Sequence, residues 1–144
     1  MAKTKLKSGV KLLGAGNAVV IYSFINERGD DVPERYISDL SVQDELKIIK
    51  LIEFMLDRGH IFNKEKFRSL TGTNGIYEFK SDSHRLLCFI LPGKSPKTFV
   101  LTHGFKKEKG KTPKKEIDKA EKIKDIVLRL YNNNRLKVFK QDEK

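Results

Sequence analysis

The sequence predicts an α+β fold: an N-terminal strand and helical hairpin, an antiparallel sheet and a C-terminal helix. Three observations lead there. Apolar residues recur at three- and four-residue steps across residues 42–56 and 117–130, the period of a helix with one buried face. Between these stretches lie three runs rich in β-branched and aromatic residues, at 76–80 (IYEFK), 85–91 (RLLCFIL) and 98–104 (TFVLTHG). The loops that part them, SDSH and PGKSP, have hairpin length. A fourth run of this kind, 18–25 (AVVIYSFI), precedes the helices. Helices and strands thus come in separate blocks around a single sheet, as α+β domains require.

Taken in order, residues 1–16 read as a basic arm whose end is marked by Gly14 and Gly16. After the first strand, residues 26–31 carry turn chemistry, and Pro33 suits the first turn of a short helix reaching about Leu40. Ser41 opens the clearest helix. Val42, Leu46, Ile49, Ile52 and Met55 share one face of it, and Ile48, Leu51, Phe54 and Leu56 widen that face. Asp44 and Glu45 complement the dipole of its first turn, and Gly59 suits its C-terminal stop. The short link between these helices predicts a helical hairpin.

Residues 62–69 have no clean period, and 71–75 (TGTNG) form a turn before the meander. The last helix is expected to start with Thr112 as N-cap and Pro113 as its first residue. Ile117, Ala120, Ile123, Val127 and Leu130 form its stripe, with Asp118–Lys122 and Asp125–Arg129 spaced as ion pairs. Residues 132–144 read as a polar tail. One domain, 17–131, is therefore expected between arm and tail, large enough to bury a single core.

The net charge of +11 is unevenly spread. Residues 1–11 hold four lysines and no acid, residues 12–102 balance, and residues 103–144 hold 14 basic against 7 acidic side chains. That asymmetry points to a polyanionic partner. The single cysteine, Cys88, leaves no internal disulfide and fits a reducing compartment, so the cytoplasm is the expected location. No apolar run is long enough for a bilayer, and residues 1–16 lack the apolar core of a secretory signal, so no membrane partner is expected.

Several kinds of active site are excluded. One cysteine and three scattered histidines, His60, His84 and His103, do not make a structural zinc site. The chain has no G-x-x-x-x-G-K-[ST] loop and no G-x-S-x-G elbow. What remains is cationic and borne on strands. Alternation puts Ile76, Glu78 and Lys80 on one face of their strand, with Tyr77 and Phe79, as core or as base-stacking surface, on the other. Arg85 opens the next strand, as a phosphate contact or as a partner of Glu78 or Asp82. The strand after it ends in His103, Phe105, Lys106 and Lys107.

Metal-free RNA cleavage needs activation of the 2′-hydroxyl, compensation of phosphorane charge and protonation of the leaving oxygen. Lys80, Arg85, His103 and Lys106 are the catalytic candidates on that chemistry, with His103 either an acid–base group or a hydrogen-bonded structural residue. Lys66, Arg68, Lys107, Lys109 and Lys111 are the candidate RNA contacts. No cofactor is expected.

The stretch GIYEFKSDSHRLLCFI resembles the G-L-Y-E-[LF]-[RK]…R-[VIL]-x-[YC]-F segment of HigB-like toxins in the RelE/ParE superfamily. It continues into VLTHGFKKEKGKTPKKEIDKAEKIKDI, which is similar to the block ending T-P-x-x-E-I-x-x-A in the phage-derived branch of that family. The likeness spans roughly residues 17–130 and is richest over 75–120. It implies a RelE/ParE-like toxin that cuts mRNA in the ribosomal A site by 2′-hydroxyl attack without metal. It also implies a cognate antitoxin of helix-turn-helix type. By position, Lys80 matches the basic residue ending the first motif, Arg85 the arginine opening the next strand, and Phe105–Lys106–Lys107 the F-x-K-K region. The lysine pair here follows Phe105 directly, a departure from that motif. ParE-like relatives share the scaffold and poison DNA gyrase, and an inactive binding relative is a third class.

Overall fold

The computed structural model describes residues 8–140. Its elements run β1 (Gly9–Ala15), β2 (Val19–Ile25), α1 (Val32–Ser38), α2 (Val42–Arg58), β3 (Phe67–Ser69), β4 (Tyr77–Ser81), β5 (His84–Ile90), β6 (Lys97–Lys106), α3 (Lys114–Asn132) and β7 (Lys137–Phe139). The seven strands form one sheet in the order β3-β4-β5-β6-β2-β1-β7. The α+β class and the β4–β5–β6 meander are as expected. The sheet, however, is mixed: β2 lies parallel to β6, with Val19 opposite Lys97, and β7 lies parallel to β1. The first of these accords with the course of α2, which runs from the His84 end of the sheet to the end where β2 begins, so that β4 sets out in the direction of β2.

The expected arm and tail both contribute to this sheet. Gly9–Ala15 pairs with β2, and Lys137–Phe139 pairs with β1. Lys3, Lys5 and Lys7 of the arm, and residues 141–144 of the tail, lie outside the described residues. Phe67–Ser69, which has no clean period, becomes a strand by pairing with β4.

Each face of the sheet has its own core. On one, Ile37 of α1 and Ile48, Ile52 and Met55 of α2 pack on Val19, Ile21, Phe79, Leu86, Phe99 and Leu101. On the other, Ala120, Ile123 and Val127 of α3 cover Val10, Phe24, Leu87, Phe89 and Val100. Burying each large aliphatic side chain stabilises the fold by about 1.5–3 kcal/mol, so the two cores fix the helices on their faces. The described helices include none long and apolar enough to cross a membrane.

Helix ends follow local chemistry where it is unopposed. The Asp31 side chain caps α1 by accepting from Glu34 N, Ser41 caps α2 by accepting from Asp44 N, and Gly59 closes α2 in the left-handed conformation at φ 84°. The buried arc of α2 is rotated from the expected stripe. Ile48 takes the centre, while Val42 and Leu46 are 71% and 53% exposed. At the start of α3 the expected cap is absent: Pro113 occupies the N-cap position, and the Thr112 hydroxyl is bonded elsewhere.

Candidate functional site

One end of the sheet gathers the cations. The β4–β5 hairpin turns through Asp82, whose φ of 54° is a left-handed conformation that a short polar side chain tolerates. Across that hairpin Lys80 stands directly opposite Arg85, and across β5–β6 Arg85 stands opposite Phe105 and His84 opposite Lys106. The Lys107 backbone N–H donates to the Ser83 carbonyl at 2.7 Å, which ties the end of β6 to the same turn. Lys80, Arg85, Lys106 and Lys107 therefore meet at one rim. Strand alternation divides them between faces. Lys80 and Arg85 share the α3 face with Glu78, whereas Lys106 shares the helical-hairpin face with His84.

Glu78 organises the α3 face. It is fully buried, and Oε1 accepts from Arg68 Nε at 3.1 Å while Oε2 accepts from the Thr112 hydroxyl at 2.6 Å. Arg85 Nε approaches Oε2 to 3.9 Å. The Arg85 Nη1 donates to the Asp82 carbonyl at 2.7 Å and the His84 carbonyl at 3.0 Å, so the guanidinium is fastened to the turn. An acid buried between two guanidiniums and a hydroxyl compensates charges that would otherwise be costly to desolvate. This explains why Thr112 does not cap α3: its hydroxyl satisfies Glu78 instead. Lys80 is half-buried, its Nζ 3.8 Å from Glu65 Oε1.

A groove of about 320 Å³ runs over this cluster, lined by Arg68, Ser69, Leu70, Lys111, Thr112 and Ile117. Lys109 and Lys111 are exposed on the loop between β6 and α3, and Lys107 is half-buried at its start. Lys66 is exposed beside a different cleft, next to α2. The expected RNA contacts thus sit around the rim, with Arg68 drawn inward by Glu78.

His103 is the most enclosed of the four catalytic candidates. It is buried on β6, with Nδ1 3.1 Å from Thr102 Oγ1 and Nε2 2.9 Å from Glu116 Oε1. A carboxylate only accepts, so Nε2 carries its proton toward Glu116, and Nδ1 is the acceptor that faces the Thr102 hydroxyl, whose proton the Leu87 carbonyl at 3.1 Å also attracts. Burial holds the imidazole below its ordinary value. Both ring nitrogens are bound within the chain, and His103 fastens β6 to the first turn of α3 with no open path to a phosphodiester. Lys106 departs from expectation, since it faces away from Lys80 and Arg85. Sequence reasoning offers Glu78 and Asp82 as partners of Arg85, and the structure joins Arg85 to both. That reasoning missed that Glu78 also holds Arg68 and Thr112. Alternation already puts Glu78 on the face of Lys80, which was the available signal.

The family model described as phage-derived protein Gp49-like (DUF891) matches residues 35–125, more than half of the chain. The chain belongs to that family. Gp49-like proteins fall within the RelE/HigB-type toxin superfamily and are associated with the toxins of toxin–antitoxin pairs, which implies a cognate antitoxin as partner. The matched span of this Gp49-like protein runs from α1 into α3 and contains every site residue described above. No curated protein matches the chain.

Proposed function

We propose that this Gp49-like protein is a HigB-kind toxin of a type II toxin–antitoxin pair, acting in the cytoplasm as a ribosome-dependent mRNA endonuclease. The antitoxin would be of the helix-turn-helix type. The observation that carries the reading is the rim itself: Lys80 opposite Arg85, with Lys106 and Lys107 fastened to the same turn by the Lys107–Ser83 bond. Preorganised cations of this kind stabilise the charge that develops on a phosphorane, so metal-free attack by the ribose 2′-hydroxyl suits the site. Arg68, Lys107, Lys109 and Lys111 extend the positive track along the groove, and Lys66 extends it past the other side of the hairpin. His103 serves this reading as a support for the β6–α3 connection.

The test is induction of the chain in cells without its antitoxin, with message ends mapped. Growth arrest with messages cut within codons is expected, and Arg85→Ala or Lys80→Ala relieves both. Arrest with intact messages rejects the nuclease reading. Cleaved supercoiled DNA in a gyrase assay would replace it with the ParE-like alternative.

A further inference from the structure

Three residues outside the cationic cluster meet at the same end of the sheet. Tyr36 comes from α1, Asp44 from the first turn of α2 and His84 from the start of β5. The Tyr36 hydroxyl lies 2.6 Å from His84 Nδ1, and His84 Nε2 lies 3.1 Å from Asp44 Oδ2. A carboxylate only accepts, so Nε2 carries its proton toward Asp44, and Nδ1 of that neutral tautomer accepts from the Tyr36 O–H. The chain of bonds has a direction, from phenol to imidazole to carboxylate. Burial, and then the Asp44 carboxylate, hold the phenol above its ordinary value, so it keeps its proton at neutral pH.

Tyr36 is tightly placed. Its ring lies so close over Gly104 that a Cβ there would come within 2.4 Å of Cδ2, and it meets the His84 ring edge-on at 5.7 Å. Charged groups border the relay: Lys106 opposite His84 on β6, Asp82 from the turn, and Lys47 one turn along α2, bonded to Asp82 at 2.9 Å, while the Arg85 charge acts on Tyr36 from the α3 side of β5. Alongside opens a cleft of about 510 Å³, lined by Lys47, Lys50, Lys66, Phe54 and Asp82 among others. Lysines for phosphates beside an aromatic face for a base are what a single strand of RNA requires.

We infer that Tyr36 is the group that takes the 2′-hydroxyl proton, relayed by His84 and Asp44, on a single-stranded RNA lying across this end of the sheet. The inference rests on the nuclease reading above and adds its proton path. As the 2′-oxygen attacks phosphorus, its proton passes to the Tyr36 oxygen while the Tyr36 proton passes to His84 Nδ1. Asp44 steadies the resulting imidazolium. The P–O5′ bond breaks with its electron pair on O5′, which takes a proton from the Lys106 ammonium. The products are a 2′,3′-cyclic phosphate and a 5′-hydroxyl end. The imidazolium then releases a proton to water and Lys106 regains one, so protons balance and nothing is oxidised or reduced. Tyr36 and Lys106 touch the reacting atoms, while His84 and Asp44 are positioning residues.

The rival reading makes the same bonds a pin that holds α1 and α2 on β5. Single-turnover cleavage of a defined mRNA on ribosomes, followed across pH, separates the two. Tyr36→Phe keeps the ring and its packing, and is expected to slow cleavage at least ~100-fold with binding to the programmed ribosome unchanged. Asp44→Asn is expected to move the acidic limb of the rate profile to lower pH, because the carboxylate that favours the imidazolium is gone. Thermal melts of both variants confirm that they fold. Tyr36→Phe that cleaves as fast as wild type, or Asp44→Asn with an unmoved profile, overturns the relay and leaves the nuclease reading standing. Intact mRNA with the wild-type chain overturns both.

Discussion

Arg85 Nε stops 3.9 Å short of Glu78 Oε2, inside the protein, with no hydrogen-bond partner among the described residues. The rest of the guanidinium is not free to drift, because Nη1 is held by two carbonyls of the turn. Arg85 is thus compensated by Glu78 at a distance. A buried donor left open beside an otherwise satisfied carboxylate is uncommon in folded proteins.

Glu78→Gln tests that balance. The amide keeps the shape and removes the charge that compensates Arg68 and Arg85. Uncompensated buried charge costs about 3 kcal/mol or more, so the denaturation midpoint should fall clearly with an unchanged slope. An unaltered midpoint would show that Glu78 does not hold the two guanidiniums.

The loop lysines should act on affinity without selectivity. Lys109→Ala and Lys111→Ala are each expected to weaken RNA binding by a similar factor for every sequence tried. Each should lower the slope of log affinity against log salt by about one. Titrations at several salt concentrations read this directly. A change of sequence preference would instead assign these lysines to base contacts.

His103 predicts a pH dependence of stability. Burial lowers its folded value below the ordinary 6.5 of the unfolded chain. The unfolded state therefore binds the proton more readily, so this contribution is complete above that value and is lost as pH falls through it. Denaturation midpoints measured from pH 7.5 down to 5.5 should decline, and the decline should flatten in His103→Gln. Equal slopes in both proteins would remove His103 as the cause.

Gly104→Ala should disturb two things at once. The added Cβ would sit 2.4 Å from Tyr36 Cδ2 and 2.7 Å from Cγ, distances that force the ring aside. Overpacking of this kind costs about 1–3 kcal/mol, readable as a lowered melting temperature. The displaced phenol should also lose its bond to His84, so cleavage should fall further than stability alone explains.

The sequence discloses what local chemistry decides. Ser41 and Gly59 bound α2 as expected because their cap bonds are made within one turn, and strand alternation correctly places Glu78 beside Lys80. Thr112 carries the same kind of local signal and is misread, since a long-range acid takes its hydroxyl. α2 has apolar residues on nearly every side, so period alone does not choose between Leu46 and Ile48, and contact with the sheet makes the choice. β1 and β7 are hard to see for a related reason: glycines interrupt GVKLLGA and KVF has three residues, so each becomes a strand only by meeting its neighbour. Tyr36, Asp44 and His84 lie on three elements and show no spacing that foretells their meeting.

The parallel pairing of β2 with β6 also has a consequence for the order of events when the chain folds. β3, β4, β5 and β6 follow one another and pair as successive neighbours, so the rim with Lys80, Arg85 and Lys106 closes through short loops. Joining Val19 to Lys97 means closing a far longer loop, and β7 reaches β1 only across almost the whole chain. Non-local pairings form more slowly. Pulse-labelled hydrogen exchange during refolding should therefore protect β4 and β5 first and the β1–β7 edge last, with the cationic rim assembled while the opposite margin is still unzipped.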